Sequence, residues 1–184
     1  MKTPGLPVTL ELDGERVIVI GAVHGEEARR KLELLADAGA IVEEHQTLDA
    51  MAILALGGAR LAILVERDVE LAASVHEAAQ ARGVLCWCAD DPAHSDFTMP
   101  AIARLGAARI AVSTAGSSPT LSSRLRQLFE AALGERFSRF VDELGRRRDQ
   151  LKSNDPGAVA ARMSQLLDGF DLRVDVRYPD WFKD

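Results

Sequence analysis

The sequence predicts an α/β protein built on a parallel, doubly wound sheet. Apolar runs of strand length come first, and such runs are typical of strands buried on both faces. They occupy residues 17–20, 60–65 and 84–88. Between them, residues 26–38 and 68–82 have apolar residues at helical spacing, and a glycine follows each segment. Strands that alternate with helices through short loops form parallel sheets covered by helices.

Further elements of this first region follow from local patterns. Alternating apolar and polar residues at 8–12, followed by Asp13-Gly14, predict an opening strand and a tight turn. Residues 41–42 begin a short strand, and the apolar segment 48–56 is predicted to be helical. Residues 109–113 predict one more strand.

The pattern changes after residue 113. Ser118 is the predicted N-cap of a helix with Pro119 in its first position, and this helix ends at Gly134. A second helix follows, and a third begins at Asp155-Pro156. Residues 170–178 then alternate with the period of a strand. This tail could add an edge strand, pair with a partner chain or stay mobile.

Composition excludes several functional classes. The 184 residues are 47% hydrophobic and 27% charged, as in a globular protein with a core. A net charge of -6 argues against nucleic acid as a partner, because phosphate binding needs dense Lys and Arg. No apolar run has membrane-spanning length, so we expect no membrane association. The two cysteines, Cys86 and Cys88, are too close for an unstrained disulfide, which favours a cytoplasmic location.

The turn after the first buried strand is the first candidate site. A helix N-terminus behind a glycine-rich turn binds the phosphates of a dinucleotide. The candidate cofactor-binding residues are Gly21, Ala22, Val23, His24 and Gly25. Only two of them are glycines, and the carboxylates of Glu26 and Glu27 would repel a phosphate. Intact dinucleotide binding and a turn that keeps only the shape therefore both remain open.

A second cofactor contact is predicted on the next strand. In dinucleotide-binding folds an acidic residue roughly 20 positions after the turn binds the ribose hydroxyl. Glu43 and Glu44 lie at that spacing, and Glu43 is the candidate. The alternative is a pair of solvated carboxylates near a strand end.

The segment 86–100 leaves the carboxyl end of a core strand, where open α/β sheets build their sites. Asp90 is placed to act as a general base, or else it forms a turn before Asp91-Pro92. Cys86, Cys88 and His94 suggest a metal site only weakly, and buried core cysteines are the better interpretation. No metal-binding residue is predicted.

A small-residue loop before the helix at Pro119 is the third candidate. Backbone N–H groups at such a loop converge in front of the helix and suit substrate carboxylates. The candidate substrate-binding residues are Ser113, Thr114, Gly116, Ser117 and Ser118. Helix capping without a ligand is the alternative.

Together these segments resemble one family, the precorrin-2 dehydrogenase/sirohydrochlorin ferrochelatase module of siroheme synthase. The resemblance runs from Leu6 to about Arg148. It rests on Arg30-Lys31, on Phe97-Thr98-Met99-Pro100, and on the segment 112–119, VSTAGSSP.

The resemblance implies a fold and a reaction. The implied fold is a Rossmann-like NAD-binding domain at 1–113, a dimerisation segment at 114–150 and a small C-terminal region at 151–184 with a helix and a possible strand. NAD would take a hydride from precorrin-2 to give sirohydrochlorin, and Fe²⁺, as a substrate, could then be inserted to give siroheme. Asp90 would be the general base, and a homodimer would bind the tetrapyrrole. The alternative is a non-catalytic tetrapyrrole-binding or partner-binding paralogue that has lost NAD binding.

Overall fold

The computed structural model describes residues 5–151 and 155–182. The chain divides into two compact units, one up to Met99 and one from Pro100 onward. Among the described residues, no helix combines the length and the apolar character that a membrane crossing would require.

The first unit is a four-stranded parallel sheet with helices on its faces. Its strands are β1 (Arg16–Ile20), β2 (Ile41–His45), β3 (Leu61–Leu64) and β4 (Leu85–Cys88), and its helices are α1 (Gly25–Asp37), α2 (Ala50–Ala55) and α3 (Val69–Gln80). The strand order is β2-β1-β3-β4. The α/β, Rossmann-like prediction is therefore confirmed.

The core explains why β1 is apolar without interruption. Ile18 and Ile20 pack with Val75 of α3 on one face of the sheet. Val17 and Val19 pack with Leu35 of α1 on the other. Each of these β1 side chains is fully buried, which contributes about 1.5–3 kcal/mol per residue. A strand covered on both faces needs an apolar residue at every position.

The predicted opening strand at 8–12 is wrong. These residues have no regular secondary structure, although the turn behind them forms and the Glu15 N–H donates to the Leu12 carbonyl at 2.9 Å. Leu12 is buried against the sheet, whereas Val8 is 68% exposed. The alternating pattern correctly indicated that Leu12 faces the core. However, no strand of the sheet forms backbone hydrogen bonds with this segment, and without them it is not a strand.

The second unit consists of a hairpin and two helices. Its elements are β5 (Ala101–Leu105), β6 (Ala108–Val112), α4 (Pro119–Gln150) and α5 (Pro156–Leu166). The strands β5 and β6 pair antiparallel and pack on α4. The strand β5 was not predicted from the sequence, and β6 was predicted as part of the first region. The division at 113 and 150 stays a prediction.

Helix α4 contains the break expected at Gly134. This residue has φ 59° and ψ −167°, a conformation open essentially to glycine alone. At the start of the helix the Ser118 hydroxyl accepts a hydrogen bond from the Leu121 N–H at 3.2 Å, and Pro119 occupies the first turn. The predicted cap and the predicted break are both present.

The alternating tail forms no strand in the described part, which extends to residue 182. Phe170 anchors its beginning by stacking on Phe140 of α4, with ring centroids 5.3 Å apart. Beyond it Leu172 and Val174 are more than half exposed. Within residues 5–151 and 155–182, no strand lies beside this period-two segment to pair with it.

Candidate functional site

The carboxyl edge of the parallel sheet collects the polar residues of the first unit. The chain runs from β1 to β2 on one side and places β3 on the other, and sheets with this arrangement bind ligands beyond the ends of these two strands. Gly21 follows β1, Glu66 follows β3, and Asp90 follows β4. The structure thus brings the glycine turn and Asp90 to the same edge.

The turn after β1 has two glycines in backbone conformations that a side chain would disfavour. Gly21 has φ 98°, which a side chain would disfavour, and its N–H donates to the His45 carbonyl at 2.8 Å. His24 is the N-cap of α1 in an extended conformation, and its side chain makes no capping hydrogen bond. Gly25 has φ 84°. The Val23 side chain packs against the core residues on the α1 face of the sheet and so anchors the turn to the sheet.

A carboxylate of the chain itself already contacts this turn. Oε1 of Glu66 accepts a hydrogen bond from the Ala22 N–H at 2.7 Å. A Cβ atom on Gly21 would lie 2.6 Å from Cγ of Glu66. A side chain at this position would therefore have to displace Glu66, and the positive φ of the backbone disfavours one as well.

Glu66 was missed as a site residue by the sequence analysis. The signal lay in the strand register, because Ile20 pairs with Leu64 and residues just beyond these two must meet. That register depends on β3 lying beside β1, which the order of elements along the chain does not specify.

The charge at the start of α1 is partly neutralised. Oε1 of Glu26 pairs with the guanidinium of Arg30 at 2.7 Å, one helical turn further on. The side chain of Glu27 lies outside the described part of the structure. The predicted repulsion of a phosphate by Glu26 is weakened by this partner.

Glu43 lies in the middle of β2, where it pairs with Ile18. Its two carboxylate oxygens accept hydrogen bonds from Arg16 at 2.8 and 3.0 Å. The hydrogen bond from Arg16 lowers the pKa of Glu43 below its ordinary value. Arg16 also donates to the carbonyls of Ala55 and Gly57. The ribose contact stays a prediction, and the carboxylate here serves to join two strands.

Asp90 is held at the carboxyl edge of β4 by its backbone and by an ion pair. Its φ is 56°, a left-handed conformation in which Asp and Asn are the common non-glycine residues. Its Oδ2 lies 2.5 Å from Nε of Arg67, and the Asp90 side chain is 64% exposed. A solvent-facing carboxylate with a cationic partner can accept a proton from a substrate that reaches it.

The loop after Asp90 is fixed by two other carboxylates. Asp91 accepts from the backbone N–H groups of Ala93 and His94 and contacts the His94 ring at 2.8 Å. The hydrogen bond from His94 lowers the pKa of Asp91. Asp96 accepts from the Cys86 N–H at 2.8 Å and contacts His76 at 3.2 Å. Asp91 and Asp96 hold the loop in place through hydrogen bonds to its backbone and to that of β4. The exposed Asp90 is therefore the carboxylate of this segment that is the candidate general base.

Cys86 and Cys88 are buried thiols with their sulfur atoms 3.7 Å apart. The hydrogen bond with Cys88 and burial raise the pKa of the Cys86 thiol. In residues 5–151 and 155–182, no group of three or more His, Cys, Asp or Glu side chains has a metal-binding arrangement. Both cysteines are core residues, as the sequence analysis favoured.

The third candidate, the loop 113–118, belongs to the second unit. Ala115 and Gly116 both have positive φ, at 51° and 81°, and so form a tight turn. The Ser117 N–H donates to the Thr114 carbonyl, and the Ser118 N–H donates to the Thr114 hydroxyl. The Ala115 N–H donates to the Ser113 hydroxyl. These three amides, expected to face a substrate, are bound inside the loop, while the Ser113 and Ser117 side chains are exposed.

Comparison with known proteins places the chain in a family. A family model described as putative NAD(P)-binding matches residues 8–101, more than half of the sequence. A second model, described as sirohaem biosynthesis protein central, matches residues 110–132. The chain belongs to the precorrin-2 dehydrogenase/sirohydrochlorin ferrochelatase family. The predicted resemblance is therefore confirmed.

Curated relatives extend this result. Siroheme synthase 2 of Aeromonas hydrophila is 33% identical over 163 residues, covering 80% of this chain and 34% of that protein. The siroheme synthase of Nitrosococcus oceani is 31% identical over 176 residues, covering 86% and 37%. The chain thus spans about a third of the length of the curated relatives it matches.

A solved structure gives the same fold. The structure of SirC, a precorrin-2 dehydrogenase, superimposes with a TM-score of 0.67 over 90% of each chain. The sequences are only 17% identical, so the likeness establishes the fold and leaves the chemistry to the residues of this chain.

Proposed function

We propose that this chain oxidises precorrin-2 to sirohydrochlorin with NAD as the oxidant. The observation that carries the proposal is the shared carboxyl edge of β1 and β4, which has an anion-accepting turn at Gly21 and an exposed carboxylate at Asp90. The siroheme synthases and the precorrin-2 dehydrogenase among its relatives support the choice of substrate.

The turn fits a dinucleotide phosphate by its own chemistry. Its Ala22 N–H already binds an anion, the carboxylate of Glu66, at 2.7 Å. The residues that would hold the dinucleotide are Gly21, Ala22, Val23, His24 and Gly25. NAD, when bound, supplies a hydride acceptor.

Asp90 performs the proton chemistry. Precorrin-2 loses a hydride and a proton in becoming sirohydrochlorin, and the Asp90 carboxylate accepts the proton. Arg67 positions this carboxylate through Oδ2 and leaves Oδ1 for the substrate. A single aqueous-facing carboxylate can return the proton to solvent after each turnover.

Iron insertion is the second reaction of the proposal. Fe²⁺, as a substrate, replaces two pyrrole N–H protons of sirohydrochlorin, and Asp90 would accept these protons as well. Anaerobic mixing of the chain with sirohydrochlorin and Fe²⁺, followed by absorbance, measures this step. Formation of siroheme at the rate of the protein-free mixture would contradict it.

A homodimer completes the proposal. Of the described residues from Pro100 onward, those classed as buried are Ala103, Leu105 and Ser122. Leu121 and Leu128 of α4 are each 49% exposed. Apolar helix residues left open in this way are typical of a surface covered by another subunit. In that assembly the loop 113–118 would bind substrate carboxylates through its exposed serines, Ser113 and Ser117.

One observation favours the alternative, a tetrapyrrole-binding or partner-binding paralogue without NAD. The Glu66 carboxylate occupies the amide at Ala22 that a phosphate would use. Calorimetric titration of the chain with NAD⁺ separates the two. Saturable binding supports the dehydrogenase, whereas no heat at millimolar NAD⁺ supports the paralogue.

A further inference from the structure

We propose that Glu66 sets the affinity of the Gly21 turn for a dinucleotide, because its carboxylate competes with the ligand's phosphate for the Ala22 amide. The inference rests on the proposed function, since it takes a dinucleotide as the ligand of this turn. It adds an affinity-determining residue that lies just after β3 rather than in the turn itself.

The side chain of Glu66 lies directly against the Gly21 turn. Its Oε1 accepts the Ala22 N–H at 2.7 Å, and its Cγ lies 2.6 Å from where a Cβ on Gly21 would stand. In a dinucleotide-binding turn, the glycine directly after the strand allows the tight turn, and the next glycine lets a pyrophosphate approach the backbone. Here the Glu66 side chain lies against the first of these positions, Gly21, and binds the amide that follows it.

The negative charge of Glu66 opposes the binding of a phosphate at the turn. A carboxylate and a phosphate oxygen are both anionic acceptors, and the single Ala22 N–H in the turn before α1 has room for one of them. A phosphate placed at Ala22 would also be repelled by the Glu66 charge unless that side chain turned away. Binding therefore requires Glu66 to leave the turn.

Glu66 can leave without unfolding its surroundings. It lies in the connection between β3 and α3, is only partly buried, and its flexible side chain is held through Ala22. Helix α3 begins after it, with Asp68 capping the Leu71 N–H at 3.0 Å. Ligand binding therefore costs the free energy of breaking the Glu66–Ala22 hydrogen bond, without a larger rearrangement.

The test compares the wild-type chain with Glu66→Ala and Glu66→Gln. Calorimetry measures the Kd for NAD⁺ of each protein. The wild type must break the charged hydrogen bond between Glu66 and Ala22 in order to bind NAD⁺, whereas Glu66→Ala has no such bond to break. We therefore expect Glu66→Ala to bind NAD⁺ roughly ten- to a hundredfold more tightly. Glu66→Gln removes the charge but keeps the bulk, so it should lie between the two.

Glu70→Gln is the matched control, because it removes the same charge from an exposed position in the first turn of α3. It should leave the Kd within about twofold of the wild type. An unchanged affinity in Glu66→Ala would overturn the inference. A weaker affinity would also overturn it and would make Glu66 a ligand contact.

A second probe separates this inference from the proposed function. Inorganic pyrophosphate is added to ¹⁵N-labelled wild type and Glu66→Ala, and the Ala22 amide resonance is followed. Perturbation at lower pyrophosphate concentration in Glu66→Ala supports the inference even if no protein binds NAD⁺. Equal perturbation in both proteins, or none in either, overturns it. Failure of NAD⁺ binding in every protein overturns the proposed dehydrogenase alone.

Discussion

At the scale of single residues, Asp90 combines a rare backbone conformation with a fixed partner. A φ of 56° is tolerated by Asp and Asn because their short polar side chains can bond locally, whereas alanine would be strained. The Arg67 guanidinium holds one carboxylate oxygen. A test of Asp90 should therefore change its charge and keep its shape.

Asp90→Asn is the substitution that does so. We expect oxidation of precorrin-2 to slow by about 10²–10⁴-fold, since a general base contributes that much. The Kd for NAD⁺ and the Tm should stay near wild-type values, because the turn at Gly21 is untouched. Rates are measured from sirohydrochlorin absorbance under anaerobic conditions.

Glu70→Gln again serves as the control, and it should retain the wild-type rate. Equal rates for Asp90→Asn and the wild type would remove Asp90 from the mechanism.

Asp96 shows how a carboxylate of the same loop acts on stability. Burial opposes its ionisation, but hydrogen bonds from the Cys86 N–H and His76 lower its pKa below the ordinary 3.8. Its stabilising effect is therefore fully present above pH 3.8 and is lost as the pH falls through the lowered value. Asp96→Asn should lower the free energy of unfolding at pH 7 by about 1–3 kcal/mol.

Urea denaturation across the acidic range measures this difference, which should shrink below pH 3.8. Asp175→Asn is the control, because the Asp175 side chain is 84% exposed. A penalty for Asp96→Asn that is the same at pH 3 and pH 7 would show that ionisation of Asp96 is not its source.

At the scale of elements, the Arg16–Glu43 pair ties β1 to β2 and reaches the end of α2. Glu43→Gln removes the ion pair, and we expect a loss of about 0.5–1 kcal/mol of stability because both side chains are about one-third exposed. The Kd for NAD⁺ should change by less than about twofold if the pair is purely structural. A much weaker NAD⁺ affinity would instead restore the ribose contact predicted from the sequence.

Helix α4 offers a matched pair of glycines. Gly134→Ala forces a side chain into φ 59°, ψ −167°, and should cost about 1–3 kcal/mol. Gly145 lies in the same helix without a positive φ, and a Cβ there would meet nothing within 4 Å. Gly145→Ala should stabilise the protein by about 0.5–1 kcal/mol. Thermal denaturation measures both, and equal effects would contradict the break at Gly134.

The sequence predicted elements whose signals are local. Buried strands such as β1 are recognisable by their unbroken apolar residues. The start of α4 and the break within it are recognisable by Ser118 and Gly134. The sequence could not predict contacts that depend on strand order, such as Glu66 beside Gly21 and Glu43 beside Arg16. The alternating tail forms no strand with the described residues of its own chain, and its pairing with a partner chain stays a prediction, since a period of two does not specify a pairing partner.

At the scale of the whole molecule, the exposed apolar residues of α4 lead to the proposed homodimer. We expect a solution mass about twice the 19.9 kDa of the chain. Leu128→Arg should shift the protein toward monomer, because it places a charge on a half-exposed apolar position of α4. Leu54→Arg on α2 of the first unit is the control, since Leu54 is 70% exposed.

Sedimentation velocity over a concentration series measures these masses. A wild-type chain that stays monomeric throughout the series would contradict the dimer. Dissociation by Leu54→Arg as readily as by Leu128→Arg would place the interface elsewhere.

The most direct measurement of the central claim is anaerobic turnover of precorrin-2 by the chain with NAD⁺. NADH and sirohydrochlorin are followed together by absorbance. The proposed chemistry predicts one NADH for each sirohydrochlorin formed, and no conversion above the protein-free rate when NAD⁺ is left out. Conversion that does not depend on NAD⁺, or no conversion with NAD⁺ present, would contradict it.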